Sequence, residues 1–521
     1  MTTLYKLIKE RLDIMPKIVV KHSRIEVNNY EIGDCPKLEY FFRVFDPITH
    51  AYYLKGIEYN EDTKTLILPR GLDISWLEYQ LNGEAKLDTN YDEFDYVSEP
   101  IMIKKMPRDD EQKEALRFIL GKAEYSSNAV KSQLSINLNT GKGKTYVTVT
   151  AISYWLVRSV IIASTKGIIN QWKERIMEYT DIKSNEIYII EGSNSIERLF
   201  KRDISKYKIF LASHATLKSY GDNNGWDAIA ELFKYLKIGI KVYDEAHLNF
   251  DNILRIDFHT NTYKSLYLTA TPKRSNKSED QIYQLAFKNT PKIDLFKEDT
   301  DPHTQYMAIH FNSKPSPLVI SRCKNKFGFN RIAYTDWVIE NERFLDFAYV
   351  LMDKVFNLTK DGTKALIYIG TNNAILKFYE FLCDMYPQYK NEIGIYTSII
   401  SDDQKEEQLE KRIILSTTKS TGAAIDIYGL KVTVVLAEPF RSEVLARQTL
   451  GRTRADNTIY IDCVDDGFFY TKSYFNSKKP VFNKYATKCT NIVMTDMEIQ
   501  NRIKSIEDKP KLICPVKRLN V

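Results

Sequence analysis

The sequence predicts an α/β protein of two tandem lobes, each built on a parallel sheet, preceded by a small β-rich module. Three observations carry this expectation. Short β-branched runs alternate with helical stretches from about residue 106 to 290, and a second alternation runs from about 340 to 470. Residues 1–105 lack that alternation and carry aromatic runs divided by turn residues.

At 521 residues the chain exceeds what one hydrophobic core organises, and roughly three or four units are expected. With 43% hydrophobic and 27% charged residues, the composition excludes a wholly disordered chain. The longest uncharged apolar stretch, Thr145 to Val157, falls short of the roughly 18 residues a membrane span needs. The N-terminal MTTLYKLIKERLD lacks the apolar core of a signal peptide, so a cytoplasmic protein that spans no membrane is expected. Cys35, Cys323, Cys383, Cys463, Cys489 and Cys514 form no CxxC pair, which argues against zinc ribbons and disulfide frameworks. A chain rich in Lys, Ile, Asn and Tyr fits an AT-rich genome such as those of many phages, in which case the compartment is the host cytoplasm.

The first region, residues 1–105, reads as a meander in which LEYFFRVF, AYYLKGIEY and TLILP form strands, DPITH and NEDTK form turns, and LDISWLEYQL forms a helix. This module is not needed to build either lobe. Its Arg43, Tyr52 and Arg70 are candidates to grip a nucleic-acid branch, while Phe41, Phe45 and Tyr53 serve either that purpose or its own core. In residues 106–290, VIIAST, KIFLAS, IKVYDE and SLYLTAT are the strands of the first lobe. Residues 291–339 read as a connection, and residues 340–470 form the second lobe through KALIYIG, IGIYTS, RIILSTT and VTVVLAE. The last stretch, 471–521, holds 11 Lys/Arg against 4 Asp/Glu out of a net charge of +6 for the whole chain. With Tyr474, Phe475, Phe482 and Tyr485 interleaved, it is either a basic tail that follows a phosphate backbone or a plain solvated terminus.

The sharpest chemical signal is NLNTGKGKTYVTVT at 137–150, a Gly-rich turn that opens a helical segment. Asn139, Thr140, Gly141, Lys142 and Gly143 offer backbone N–H groups to phosphates, and the helix N-terminus adds its dipole. Lys144 is placed to reach the β- and γ-phosphates, and Thr145 to ligate Mg²⁺. The full phosphate-loop pattern has Gly where this chain has Leu138. Further on, the β-branched run IGIKVYDEAHLNF ends on two adjacent carboxylates. Asp244 suits Mg²⁺, and Glu245 suits polarisation of the attacking water.

Thr140 to Thr145, Asp244-Glu245-Ala246-His247 and Thr269-Ala270-Thr271 resemble motifs I, II and III of superfamily 2 helicases. The resemblance extends over roughly residues 105–470 and implies two RecA-like lobes that bind ATP and Mg²⁺. RDDEQKEAL is similar to the segment whose glutamine reads adenine, here Gln112. STKGIINQWKERI resembles motif Ia, with Ser164 where proline is common, and ASHATLKS resembles the strand-end motif that follows. These imply nucleic-acid contacts from Thr165, Lys166, Ser213 and Thr216. STTKSTGAAIDIYGLK resembles motif V, placing Gly422 at nucleic acid and Asp426 at the nucleotide, with Ala424 where glycine is frequent. RQTLGRTRADN resembles motif VI, with Gln448 at the nucleotide and Arg452 or Arg454 as the arginine that meets the phosphoryl charge.

Motif Ia, the DEAH box followed by LYLTATP, and the GAAIDIYGL segment look closer to DNA helicases of the XPB, RecG and phage UvsW type than to DEAD-box RNA helicases. The expectation is therefore an ATP-dependent motor that remodels forks, junctions or R-loops in replication, recombination or repair, with DNA favoured over RNA. An RNA helicase with the same motor, or the motor of a restriction-type system, is the alternative.

Overall fold

The computed structural model describes residues 16–46, 49–138, 142–269, 277–295, 304–325, 328–421, 427–450 and 457–507. The chain divides into two compact units, Met1–Lys297 and Glu298–Val521.

The first unit opens with strands β1 (Lys17–Val20), β2 (Arg24–Asn28), β3 (Arg43–Asp46), β4 (Ala51–Leu54), β5 (Glu58–Asn60), β6 (Thr65–Pro69) and β7 (Ala85–Leu87). Five of them form a mixed sheet in the order β5-β6-β2-β1-β7, and β3 and β4 pair as a separate hairpin. The pleat turns alternate residues of β1, β2 and β6 inward, so Ile18, Val20, Ile25, Val27, Leu66 and Leu68 are buried. LEYF, expected in a strand, belongs instead to the helix Pro36–Phe41, with Phe42 as its C-cap. Pro36 sits in its first turn with a preset φ, and the buried Glu39 carboxylate accepts from Tyr30 Oη and the Gly33 N–H, so the run folds locally. The expected helix at LDISWLEYQL spans Ile74–Leu81, and the Asp73 side chain accepts from the Trp76 N–H at its start.

This module does not close its own core. Ile25, Leu38, Phe42, Leu66 and Leu77 share one cluster with Phe250, Leu254 and Phe258 of the helix Phe250–His259 and with Ile282, Tyr283 and Ala286 of the helix Lys277–Ala286. At Gly71 a Cβ would lie 2.3 Å from the Ala286 carbonyl oxygen, so only glycine permits this approach. The module is thus built into the first lobe, contrary to the expectation that it stands apart.

Strands β8 (Gln133–Asn137), β9 (Ser159–Ala163), β10 (Ile187–Ile190), β11 (Ile209–Ser213), β12 (Ile240–Tyr243), β13 (Lys264–Thr269) and β14 (Lys292–Asp294) form an all-parallel sheet in the order β10-β11-β9-β12-β13-β8-β14. Helices on both faces bury its inner strands completely, which explains their continuous apolar runs. Buried charges stand in them at Lys241 and at Lys264, the first residue of β13. Lys241, wholly buried in β12, reaches Asp257 at 2.6 Å, and Asp257 also accepts from Tyr243 Oη and Tyr267 Oη.

The second unit repeats the plan with β15 (Thr304–Phe311), β18 (Lys364–Ile369), β19 (Ile393–Tyr396), β20 (Ile413–Ser416), β21 (Leu430–Ala437), β22 (Thr458–Asp465) and β23 (Lys488–Val493), all parallel in the order β19-β20-β18-β21-β22-β15-β23. Between them β16 (Lys324–Asn325) and β17 (Gly328–Phe329) pair as a short ribbon.

Two expected boundaries move. The stretch 291–339 is no mere connection, because β14 extends the first sheet and β15 lies inside the second. Nor is 471–507 a tail. The helix Phe469–Tyr485, β23 and the helix Asp496–Glu507 complete the second lobe. Phe475 and Phe482 are buried there, Phe482 stacking on Tyr306 at 3.9 Å, so neither is available to bases. Lys478 is also buried, 2.8 Å from Asp462. A parallel strand carries no signal of its partners, which lie far away in sequence, and this hid β15 and β23 from the sequence.

Candidate functional site

Because the first sheet is all parallel, every strand delivers its carboxyl end to one edge, where the following loops and helix N-termini meet. β8 leads toward the Gly-rich loop, β9 to Ser164 and Thr165, β11 to Ser213, β12 to Asp244 and β13 to Thr269. The candidate residues of the first lobe therefore converge on one rim.

The helix Lys144–Trp155 starts at Gly143, whose φ of +90° is left-handed. A Cβ at Gly143 would lie 2.2 Å from Gln112 Nε2 and displace that amide, while the left-handed φ itself favours glycine. Gln112 braces the loop from below, donating from Nε2 to the Lys142 carbonyl at 3.1 Å and accepting at Oε1 from the Arg108 N–H at 2.8 Å. Its own helix, Asp110–Leu120, is capped by Asp109, which accepts from the Gln112 N–H. Asn139, Thr140 and Gly141 lie outside the described residues.

Lys144 and Glu245 meet across this rim at 2.6 Å, both almost wholly buried. The sequence places them 101 positions apart. Glu245 takes a left-handed φ of +47°, a conformation that disfavours a side chain with a Cβ and that packing must sustain. Two ladder contacts sustain it: the Asp244 N–H donates to the Ile162 carbonyl and the Ala246 N–H to the Leu268 carbonyl. His247 Nδ1 lies 3.0 Å from Thr269 Oγ1, tying the DEAH segment to the end of β13. Ser164, standing where proline is common, accepts from Asn249 Nδ2 at 2.9 Å and ties the same segment to the end of β9.

Asp244 is buried, and its carboxylate is held at both oxygens. Oδ1 accepts from the Glu245 N–H at 3.0 Å, and Oδ2 accepts from the Trp172 indole N–H at 2.9 Å. Burial pushes the Asp244 carboxyl above the usual range, opposed by the Lys144 ammonium. A divalent cation here would favour the charged form. The donor set fits Mg²⁺: the Thr145 hydroxyl and the Asp244 carboxylate are hard oxygen donors, and this ion usually takes few protein ligands beside substrate phosphates. The Gly143 turn, the helix N-terminus and Lys144 fit the polyphosphate it accompanies.

Thr165 and Ser213 cap their helices, accepting from the Ile168 and Thr216 N–H groups, and the Ser213 and Thr216 hydroxyls lie 2.9 Å apart. Lys166 is half-exposed and 3.5 Å from Glu191. In the second unit, Gly422, Asp426, Arg452 and Arg454 lie outside the described residues. Gln448 falls in the helix Glu443–Leu450. Just before Gly422, the Thr418 N–H and hydroxyl both donate to Glu438, at 2.8 and 2.6 Å.

Sequence reasoning missed Trp172. The QW dipeptide of motif Ia was in view, but only the fold carries the indole to Asp244, 72 positions away.

The fold thus comprises two parallel-sheet lobes, the first with a rim whose Gly143 turn, Lys144 and carboxylates suit a polyphosphate. Residues 105–274 match the family model described as the res subunit of type III restriction enzymes. A Haloarcula marismortui protein named as DNA 3'-5' helicase Rad25 is 26% identical over 145 residues, covering 28% of this chain and 21% of that protein. The chain thus matches about a fifth of that relative's length. Among solved structures, Dbp5 of S. cerevisiae, bound to RNA and ADP BeF3, is similar at 15% identity with a TM-score of 0.49, covering 76% of this chain and 92% of that one. T4 UvsW is similar at 13% identity with a TM-score of 0.35, covering 92% and 99%. A fragment of an HsdR subunit of a type I restriction enzyme from Vibrio vulnificus YJ016 is similar at 16% identity with a TM-score of 0.48, covering 91% and 81%. Over residues 105–274 the chain is thus similar to the ATP-hydrolysing motor domain of superfamily 2 helicases.

Proposed function

We propose that this protein is an ATP-dependent DNA translocase that remodels branched DNA such as forks, junctions or R-loops in replication, recombination or repair. The observation that carries the reading is the buried meeting of Lys144, Asp244 and Glu245 beside the Gly143 turn. Lys144 leaves Glu245 for the β- and γ-phosphates, and the freed carboxylate orients the attacking water and takes its proton. Asp244 and Thr145 would hold Mg²⁺, which would neutralise charge on the phosphates when bound. Gln112 reads adenine from beneath the loop, and the motif resemblance gives Asp426 and Gln448 a nucleotide-contacting role and Arg452 the developing phosphoryl charge. Thr165, Lys166, Ser213, Thr216 and Gly422 hold the strand backbone, so that their changing grip turns hydrolysis into movement.

DNA is favoured by the named activity of the Rad25 relative and by the restriction-enzyme family matched by residues 105–274. That family also supports a second reading, the motor of a restriction-type system. The test is ATP turnover with single-stranded, duplex, forked, R-loop and four-way-junction DNA and matching RNA. Stimulation by DNA that RNA cannot replace, strongest on branches and abolished by Lys144→Ala, is expected. Stimulation by RNA alone refutes the DNA assignment, and duplex translocation indifferent to branches favours the restriction-type motor.

A further inference from the structure

The helix Lys166–Tyr179 joins two parts of the proposed machine. Its outer end carries Thr165 and Lys166, assigned above to nucleic acid, and its inner face buries Ile168, Ile169, Trp172 and Ile176 against the sheet. Trp172 lies about 9 Å along the axis from Lys166. Its indole N–H donates to Asp244 Oδ2 at 2.9 Å, in a contact closed to solvent.

The arrangement is directional. An indole N–H can only donate, so it pairs with a carboxylate oxygen and offers nothing to a cation. The second constraint on Asp244 comes from its neighbour, since the Glu245 N–H donates to Oδ1 and moves with β12. Among the described residues, the Trp172 bond is the side-chain hydrogen bond that refers the carboxylate to a different element, so a displacement of the helix against β12 rotates or releases Asp244. The same two segments meet again where Asn249 Nδ2 donates to Ser164 Oγ at 2.9 Å. The segments that follow β9 and β12 are therefore hydrogen-bonded to each other on both sides of Thr165.

We infer that Trp172 is a positioning residue through which nucleic acid held at the start of this helix sets the aim of Asp244, making metal binding and ATP turnover responsive to the strand. The inference rests on the proposed function, since it needs Asp244 at the metal and Thr165 and Lys166 at the nucleic acid. It supplies a mechanical route of one helix and one hydrogen bond from grip to hydrolysis. A charge-assisted bond to a buried carboxylate is strong enough for the role, because its loss commonly changes an equilibrium by about tenfold or more.

The test compares the full-length wild type with Trp172→Phe, which keeps an aromatic ring and removes the N–H. The expected result is an about tenfold rise in the Mg²⁺ concentration that half-saturates binding of a fluorescent ATP analogue, with the ratio of DNA-stimulated to unstimulated turnover falling toward one. DNA affinity without nucleotide should stay within about twofold, whereas a merely structural role would lower it together with the melting temperature. A second measurement uses the wild type labelled with 5-fluorotryptophan, which has five tryptophan signals. The signal broadened by Mn²⁺ with a nucleotide analogue identifies Trp172, and it should shift when DNA is added without metal or nucleotide. An unchanged Mg²⁺ requirement and stimulation ratio in Trp172→Phe, or an unmoved fluorine signal on DNA binding, overturns the inference. Should the variant fail to fold, the fluorine measurement decides alone. A wild type whose turnover no nucleic acid stimulates refutes the proposed function instead.

Discussion

Glu245 shows at the residue scale how much the fold spends on one carboxylate: a left-handed backbone, burial, and an ammonium 2.6 Å away. The amide of Glu245→Gln keeps the shape but cannot take a proton. This variant should retain ATP and DNA binding while turnover falls by about 10² or more, read as unchanged analogue affinity beside lost phosphate release. Unchanged turnover would remove Glu245 from the chemistry. A second prediction concerns the arginine pair of motif VI. Arg452→Ala should lower turnover by about 10³ with little change in ATP affinity, because a phosphoryl-charge contact matters most as the bond breaks. Arg454→Ala serves as the control, and damage confined to it would shift the motif by two positions.

At the scale of elements, helix N-termini and strand ends do most of the positioning. Glu438, just beyond β21, receives two hydrogen bonds from Thr418, and burial still pushes its carboxyl up to about 7. The folded value exceeds the usual 4.5, so its contribution to stability is fully present below pH 4.5 and is lost as pH rises through about 7. Urea denaturation should show the second unit losing stability across that interval, and Glu438→Gln should flatten the slope. A slope that survives the substitution assigns the pH dependence to other groups. The same scale explains the misread LEYF run. Its aromatic residues suit a strand, but Pro36 and the bonds to Glu39 favour a helical turn.

For the molecule as a whole, the N-terminal module matters first as structure. Its core includes Phe250, Leu254, Phe258, Ile282 and Tyr283, and Lys241 of β12 donates to Ser23 Oγ. Deleting residues 1–105 would expose this apolar surface and leave a buried cation short of a partner. The truncated chain should be insoluble or strongly destabilised, and a soluble truncation with wild-type melting would show that the shared core is dispensable. A role in substrate choice must therefore be tested by substitution. Arg43 and Tyr52 are exposed as expected, but Arg70 is mostly buried, while Phe41, Phe45 and Tyr53 are each more than two-fifths exposed rather than core. Phe45→Ala with Tyr52→Ala on the β3–β4 hairpin should leave the melting temperature and single-strand-stimulated turnover unchanged and lower fork unwinding severalfold. Full unwinding by that variant would refute a branch-gripping hairpin.

The sequence by itself determined the local features: the alternation that makes α/β lobes, the Gly143–Lys144–Thr145 turn, and the adjacent carboxylates at a strand end. Each rests on neighbours in the chain, where spacing and residue type suffice. Only the tertiary structure decided which distant groups meet. It put Lys144 on Glu245, Trp172 on Asp244 and Lys241 on Asp257, enrolled β15 and β23 in the second sheet, and joined the N-terminal module to the first lobe. The physical reason is that parallel sheets and buried polar contacts pair residues through space. Their cost in desolvation and chain entropy is recovered only in the packed fold, which no local pattern records.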